Sequence, residues 1–307
     1  MARCFVTRAL PGPALKRLAE AHAVDLWPRR LPPGYEELRR RTAGADGLLS
    51  MLTDRVDAEL MDGSPRLKAI ANYAVGYDNV DVEAATSRGI AVGNTPDVLT
   101  DATADLAFAL LLSAARKLPQ AAASIPAGEW VTWEPAAYLG YDVHGATLGI
   151  VGAGRIGEAV ARRAAGFDME VLVHSRRSGV SLDELLRRSD FVSLHCPLTP
   201  ETRHLIDAAA LAKMKPTAIL VNTARGPIVD QAALATALHE GTIAGAALDV
   251  TDPEPLPADD ELLGAPNLIV VPHIGSATHS AREKMADLAV DNLLAALADR
   301  PMPHAVT

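Results

Sequence analysis

An arginine, a glutamate and a histidine stand just beyond three consecutive apolar runs in the second half of this chain: Arg225, Glu254 and His273. Arg225 follows the run 218–222, in the segment Asn222-Thr223-Ala224-Arg225-Gly226. Its guanidinium is a rigid fork of donors, suited to a carboxylate or a phosphate. Glu254 follows the run ending at Asp249 and sits between two prolines, in Asp252-Pro253-Glu254-Pro255-Leu256-Pro257. A carboxylate in so stiff a loop has a purpose when something faces it. His273 follows the run 267–271, in Pro272-His273-Ile274-Gly275-Ser276, and imidazole gains and loses a proton near neutral pH. Taken singly, a surface ion pair, a solvated carboxylate and a structural histidine would account for all three. What sets them apart is that all three end successive strands, where an open α/β sheet meets its ligand.

The elements that must position them begin at Ala146–Arg177. The apolar run 147–151 reads as a buried strand, and Gly152, Ala153, Gly154, Arg155, Ile156 and Gly157 follow it with the spacing G-x-G-x-x-G. Ile156, Val160 and Ala164 then repeat at helical period, and Val171–Val173 is a second strand. A strand, a glycine turn, a helix and a strand in this order form the setting that a dinucleotide fingerprint requires. Gly152 permits the sharp turn, Gly154 lets backbone N–H groups approach a pyrophosphate, and Gly157 lets the helix pack on the strand. The helix start then offers the phosphates its unpaired N–H groups and positive dipole end. In an open α/β sheet, ligands sit beyond the carboxyl ends of the strands, which is where Arg225, Glu254 and His273 fall.

Strand and helix patterns alternate over residues 1 to about 100, with strands predicted at 4–7, 24–27, 47–52, 67–72 and 90–92 and helices reaching Ala21, over 33–42 and near 57–61. Such alternation implies a parallel sheet with helices on both faces, here without a glycine fingerprint. The segment 99–118 reads as one long helix, apolar over most of its circumference and therefore buried on several sides, as at an interface between domains or subunits. Residues 119–143 read as irregular and carry Trp130, Trp133, Pro135, Tyr138 and Tyr141. They are either a loop packed on its own domain or an arm reaching across a homodimer, where aromatic anchors are enriched. Further strands are predicted at 191–196, 218–222, 244–250 and 267–271, with a helix over 230–239. A last helix over 280–297 folds back onto the first domain. The division expected is 1–99 completed by 280–307, around 100–279.

The 307 residues are 49% hydrophobic and carry a formal net charge of −9, which argues against nucleic acid as the main partner. The densest basic run, Arg39-Arg40-Arg41, ends a predicted surface helix and reads as a solvated face. The two cysteines, Cys4 and Cys196, fall in predicted buried strands and read as reduced thiols of a cytoplasmic protein. The first residues enter a strand with no signal-peptide layout, and the longest apolar segment, 106–115, is too short for a bilayer. Neither a membrane nor a metal ion is expected as a partner.

Several motifs in order give the chain a family resemblance: Asn72 to Asp81 (NYAVGYDNVD), the glycine fingerprint, Asn222 to Gly226, Leu248 to Pro255 and Pro272 to His279. It resembles the NAD(P)-dependent D-isomer-specific 2-hydroxyacid dehydrogenases, above all the glyoxylate/hydroxypyruvate reductase branch, over essentially its whole length. The resemblance implies an α/β protein of two doubly wound parallel-sheet domains, a Rossmann NAD(P)-binding domain inserted into a flavodoxin-like substrate domain. It implies a catalytic trio of Arg225, Glu254 and His273. His273 would donate a proton to the substrate carbonyl oxygen as hydride arrives from the nicotinamide, with Glu254 on its other ring nitrogen. Arg225 would hold the carboxylate of a small 2-keto or 2-hydroxy acid, with the backbone N–H groups of Val75 and Gly76 on its other side and Ser276 nearby. Closure of the two domains would exclude water. Cofactor contacts are implied at Gly152, Gly154, Arg155, Ile156, Gly157, Cys196, Pro197, Thr223, Ala224 and Gly275, with Asp249 near the carboxamide.

In NAD-selective relatives an acid ends the second strand of the fingerprint. Here that end reads Val173-His174-Ser175-Arg176-Arg177, and Glu170 stands before the strand, at the wrong end of the sheet. Ser175, Arg176 and Arg177 suit a 2′-phosphate instead, so NADP(H) is the preferred cofactor expected, with NAD(H) possible. The activity implied is reduction of glyoxylate or hydroxypyruvate to glycolate or D-glycerate by a homodimer. Another small 2-keto acid reductase of the same family is the alternative, and a non-catalytic dinucleotide-sensing scaffold is a third.

Overall fold

The computed structural model describes residues 1–176 and 178–306. Its chain forms two compact units, Met1–Leu99 with Ala277–Thr307, and Thr100–Ser276. The first unit holds β1 (Arg3–Val6), β2 (Ala23–Leu26), β3 (Gly47–Ser50), β4 (Ala69–Asn72) and β5 (Ala91–Gly93) in the order β2-β1-β3-β4-β5. All neighbours are parallel. β3 and β4 are buried throughout, as parallel strands covered on both faces must be, which is why they read as unbroken apolar runs. The helix His279–Ala296 belongs to this unit: Arg17 pairs with its Asp287 at 2.9 Å and with its Asp291. Beyond that helix the chain lies antiparallel along β5, with Val306 N–H donating to Val92 O at 2.7 Å. Buried Asn292 ties this tail down, donating to Asn94 O and accepting from His304 N–H.

The second unit holds β6 (Thr147–Val151), β7 (Glu170–His174), β8 (Phe191–Leu194), β9 (Ile219–Asn222), β10 (Gly245–Leu248) and β11 (Leu268–Val270) in the order β11-β10-β9-β8-β6-β7, again all parallel. The order reverses between β6 and β8, the position where open α/β sheets bind ligands. Side chains alternate between two cores. Ile150, Val221 and Ala247 meet the helices Thr100–Ala115 and Arg155–Ala164 on one face, and Val151, Leu220 and Leu248 meet Leu185, Leu211 and Leu234 on the other.

Some local expectations are corrected. The long helix stops at Ala115, Lys117 turns left-handed at φ 50°, and a new helix, Leu118–Ser124, starts with a proline in its first turn. Pro119 has no N–H to offer the Ala115 carbonyl, which accepts from Tyr141 N–H instead. The first of these helices keeps one polar side, where Asp101 and Asp105 pair with Arg163, while Phe108 and Leu111 are buried in their own unit's core. Cys196 lies two residues past β8 rather than within it. The first unit resumes at Ala277, and Thr278 caps the last helix through its Oγ1. The short helices Val82–Ser87, Leu182–Arg188 and Ala208–Leu211 lack a legible apolar period but are each capped by a side chain: Asp81, Ser181 and Asp207.

Trp130 and Trp133 are 69% and 80% exposed, so their own unit does not cover them. The basic run is less free than a solvated face: Arg41 pairs with Glu37 and Asp25, and Arg39 with Glu36 and Glu59. Among the described residues, no helix is long and apolar enough to cross a membrane.

Candidate active site

Arg225, Glu254 and His273 leave the carboxyl ends of β9, β10 and β11, which are neighbours in the sheet. Arg225 stands three residues past β9. Its backbone is held by buried Asn222, whose side chain donates to Arg225 O at 2.9 Å and accepts from Ala224 N–H at 3.0 Å. A β-carbon at Gly226 would fall 2.0 Å from Thr251 O, so this loop runs directly against the one that leaves β10. Arg225 also donates from Nη1 to Ala224 O at 2.8 Å. Glu254 is farther along the β10 loop, with cis bonds at Asp252–Pro253 and Glu254–Pro255. Its Oε1 lies 2.5 Å from His273 Nδ1. The carboxylate therefore takes one ring nitrogen and leaves Nε2 outside that contact. Both side chains are about three-quarters covered.

His273 adopts φ 53°, a left-handed conformation that a non-glycine residue keeps only when its surroundings impose it. Asp249, buried at the end of β10, supplies much of that constraint. Its carbonyl accepts from His273 N–H at 2.9 Å, and its two carboxylate oxygens accept from Ile274 N–H at 2.6 Å and Gly275 N–H at 2.8 Å. Thr103 Oγ1 fixes Gly275 from the other side by donating to its carbonyl at 3.2 Å. Burial pushes the Asp249 carboxyl up from its ordinary pKa, against the pull of these backbone N–H groups and of His273. Residue types alone do not announce this loop-holding role. The one available signal is that an acid ends a strand directly beside the strand leading to the histidine.

The glycine turn lies at the switch point. Gly152 has φ 110°, and a β-carbon on it would lie 2.6 Å from Cys196 N and from the His195 carbonyl carbon, so the ends of β6 and β8 touch here. Gly154, by contrast, opens onto free space and begins the helix Arg155–Ala164 with no side-chain cap. The first N–H groups of that helix, on Arg155, Ile156 and Gly157, are thus the ones a phosphate can reach. Farther along the same strand ends, the Thr223 hydroxyl beside Ala224 is buried with no partner among the described residues, and a ligand would satisfy it. An uncapped helix start and an orphaned hydroxyl fit a bound dinucleotide.

His195 follows β8 beside Cys196 and Pro197, its Nε2 2.8 Å from Ser193 Oγ. Burial pushes its pKa down from 6.5 to about 4. The unfolded chain then takes up a proton below about pH 6.5 that the folded chain refuses until about pH 4, so stability is full above this window and falls as pH drops through it. At pH 5 this histidine costs about 2 kcal/mol. Urea unfolding at pH 7 and pH 5 measures the loss, and His195→Gln shrinks the difference by that amount.

At the end of β7 the chain turns tightly. Ser175 Oγ lies 2.9 Å from Ser178 Oγ and 3.0 Å from Ser178 O, so its hydroxyl is engaged within the turn, while the Arg176 side chain is exposed. Arg177 lies outside the described residues. Glu170 begins β7, where it pairs with Arg188, at the opposite end of the strand. Val75 and Gly76 follow β4 in the first unit, and Ser276 closes the second. Among the described residues, no group of three or more His, Cys, Asp or Glu side chains is placed to hold a metal ion.

Residues 108–275 match the family described as D-isomer specific 2-hydroxyacid dehydrogenase, NAD binding domain. A glyoxylate reductase of Korarchaeum cryptofilum is 52% identical over 305 residues, covering 95% of this chain and 92% of that one. The crystal structure of the TT0316 protein from Thermus thermophilus aligns with a TM-score of 0.95 at 52% identity, over 99% of this chain and all of that one. An NADPH-dependent glyoxylate/hydroxypyruvate reductase of Sinorhizobium meliloti, in complex with NADP and malonate, aligns with a TM-score of 0.88 at 36% identity, over 100% of this chain and 97% of that one. With both sheets, the nucleotide turn and the histidine–glutamate pair in view, these matches leave one conclusion: the chain belongs to the D-isomer specific 2-hydroxyacid dehydrogenases, oxidoreductases that use a nicotinamide dinucleotide.

Proposed function

We propose that this protein reduces glyoxylate and hydroxypyruvate to glycolate and D-glycerate with NADPH. The observation that carries the reading is the Glu254–His273 pair, 2.5 Å apart on neighbouring strand ends. A reduced nicotinamide, when bound, supplies the hydride. His273 Nε2 gives its proton to the substrate carbonyl oxygen, and Glu254 on Nδ1 holds the ring in orientation and balances the imidazolium's charge. Arg225 takes the substrate carboxylate with its fork of donors, and the backbone N–H groups of Val75 and Gly76 are further donors for substrate. Gly152, Gly154 and the helix start at Arg155 hold the pyrophosphate. Thr223, Ala224, Cys196, Pro197 and Gly275 border the nicotinamide half, and Ser276 the substrate.

The preference for NADPH rests on the end of β7, which carries Ser175 and the exposed Arg176 and no acid. The NADPH-dependent relative of S. meliloti supports the same reading. A second copy of the chain covers the exposed Trp130 and Trp133, and the two free thiols suit the cytoplasm. A panel of glyoxylate, hydroxypyruvate, pyruvate and phosphohydroxypyruvate, run with NADPH and with NADH, tests activity and cofactor together. The wild type turns over the first two fastest with NADPH. Arg176→Asp lowers kcat/KM for NADPH at least tenfold relative to NADH, since it replaces a charge-assisted phosphate contact with a repulsion. An unchanged cofactor ratio refutes the role of Arg176, and no turnover of any 2-keto acid refutes the enzyme.

A further inference from the structure

The loop after β4 in the first unit carries three consecutive carbonyls that each accept a hydrogen bond. Thr95 N–H donates to Ala74 O at 2.9 Å, Asn94 Nδ2 to Val75 O at 2.8 Å, and Asn72 Nδ2 to Gly76 O at 3.0 Å. The cis bonds of the described chain lie elsewhere, at Asp252–Pro253 and Glu254–Pro255, so these peptides are trans. In a planar trans peptide the N–H points opposite to the C=O. Fixing the carbonyls of residues 74, 75 and 76 therefore aims the N–H groups of Val75, Gly76 and Tyr77 away from the donors. None of those three N–H groups has an acceptor among the described residues.

The donors are themselves rigidly held. Asn72 is fully buried, accepts from Ser50 Oγ at 3.1 Å, and lies 3.0 Å from Asn79 Oδ1. Asn79 in turn donates to Met51 O at 3.0 Å and Asp54 O at 2.9 Å. Asn94 follows β5, and its main chain is clamped between the Asn292 side chain and His304. Two asparagines, buried Asn72 at the end of β4 and Asn94 just past β5, thus grip one short loop.

We infer that Asn94 and Asn72 are positioning residues that hold a three-donor backbone cradle for the substrate carboxylate, with Tyr77 N–H joining those of Val75 and Gly76. This rests on the 2-keto acid reductase reading above. Backbone N–H groups left without acceptors in one short loop are donors that an anion can take, and their hydrogen bonds to a carboxylate are charge-assisted. The cradle acts on substrate affinity and leaves the hydride and proton steps alone.

Asn94→Asp tests it, because the side chain keeps its shape and loses the N–H that grips Val75 O. KM for glyoxylate rises about tenfold or more, as expected for a misaligned charged hydrogen bond, while kcat stays within about threefold and NADPH affinity within about twofold. Circular dichroism and Tm check that the variant is folded, and Asn94→Ala carries the same test without a new charge if Asn94→Asp is not. A folded variant with unchanged KM, or one whose kcat falls alone, overturns the inference while the reductase reading stands. A wild type inactive toward every 2-keto acid overturns the reading, and the inference with it.

Discussion

His273→Ala lowers kcat for glyoxylate by about 10²–10⁴, the share that a positioned general acid supplies, and leaves NADPH affinity within a few-fold. The ring is held by Glu254 at 2.5 Å and stands at the end of β11, away from the glycine turn after β6, so removing it takes the proton donor and little else. The backbone at this position is left-handed, φ 53°, and alanine is less at ease there than histidine. His273→Asn is the matching control, since asparagine tolerates that conformation yet offers no proton at the right acidity. Stopped-flow or steady-state NADPH oxidation gives kcat, and fluorescence titration gives the cofactor Kd. If both variants lose cofactor affinity along with turnover, His273 serves the structure and the catalytic assignment is wrong. If His273→Asn keeps full activity, the proton comes from elsewhere.

Gly152→Ala is expected to be nearly as damaging, for a different reason. Its β-carbon would sit 2.6 Å from the backbone of His195 and Cys196 at φ 110°. Nothing at that point is a flexible side chain, so β6 and β8 must part. Strain and overpacking together cost roughly 3–5 kcal/mol, equivalent to a Tm lower by about 10 °C for a unit of this size. Cofactor affinity falls with it. Gly154→Ala separates the two causes, because Gly154 has ordinary φ −88° and open space where the β-carbon goes. That variant keeps its Tm and loses NADPH affinity, as its methyl group occupies the approach to the pyrophosphate. Calorimetry and cofactor titration on the pair decide the matter. A Gly152→Ala protein as stable as wild type contradicts the close approach of β6 and β8.

Both sheets are legible because parallel strands are buried on two faces and so appear as unbroken apolar runs, whatever else surrounds them. The eleven strands among the described residues fall within a few residues of their expected positions. The short helices are harder. Leu182–Arg188 and Ala208–Leu211 are too short for a readable period, though Ser181 with Glu184, and Asp207, carry capping signals that mark them. The helix expected over 99–118 is too long, since hydrophobicity continues past the point where Pro119 ends the hydrogen-bond ladder. The aromatic segment after it can be located but not interpreted, because composition does not say whether a side chain is covered.

By itself the sequence determined that a dinucleotide turn, an arginine, a glutamate and a histidine stand at strand ends, because neighbouring parallel strands must bring their carboxyl ends to one edge. What only the tertiary structure decided is how those ends are held. The contact between Glu254 and His273 depends on the paths of two loops, and the left-handed turn at His273 on Asp249 gripping Ile274 and Gly275. The loop at Val75 is held by a hydrogen bond from Asn94, 19 residues away along the chain. Local residue types set which groups are available. Hydrogen bonds between residues distant in sequence set their direction, and direction is what a site needs.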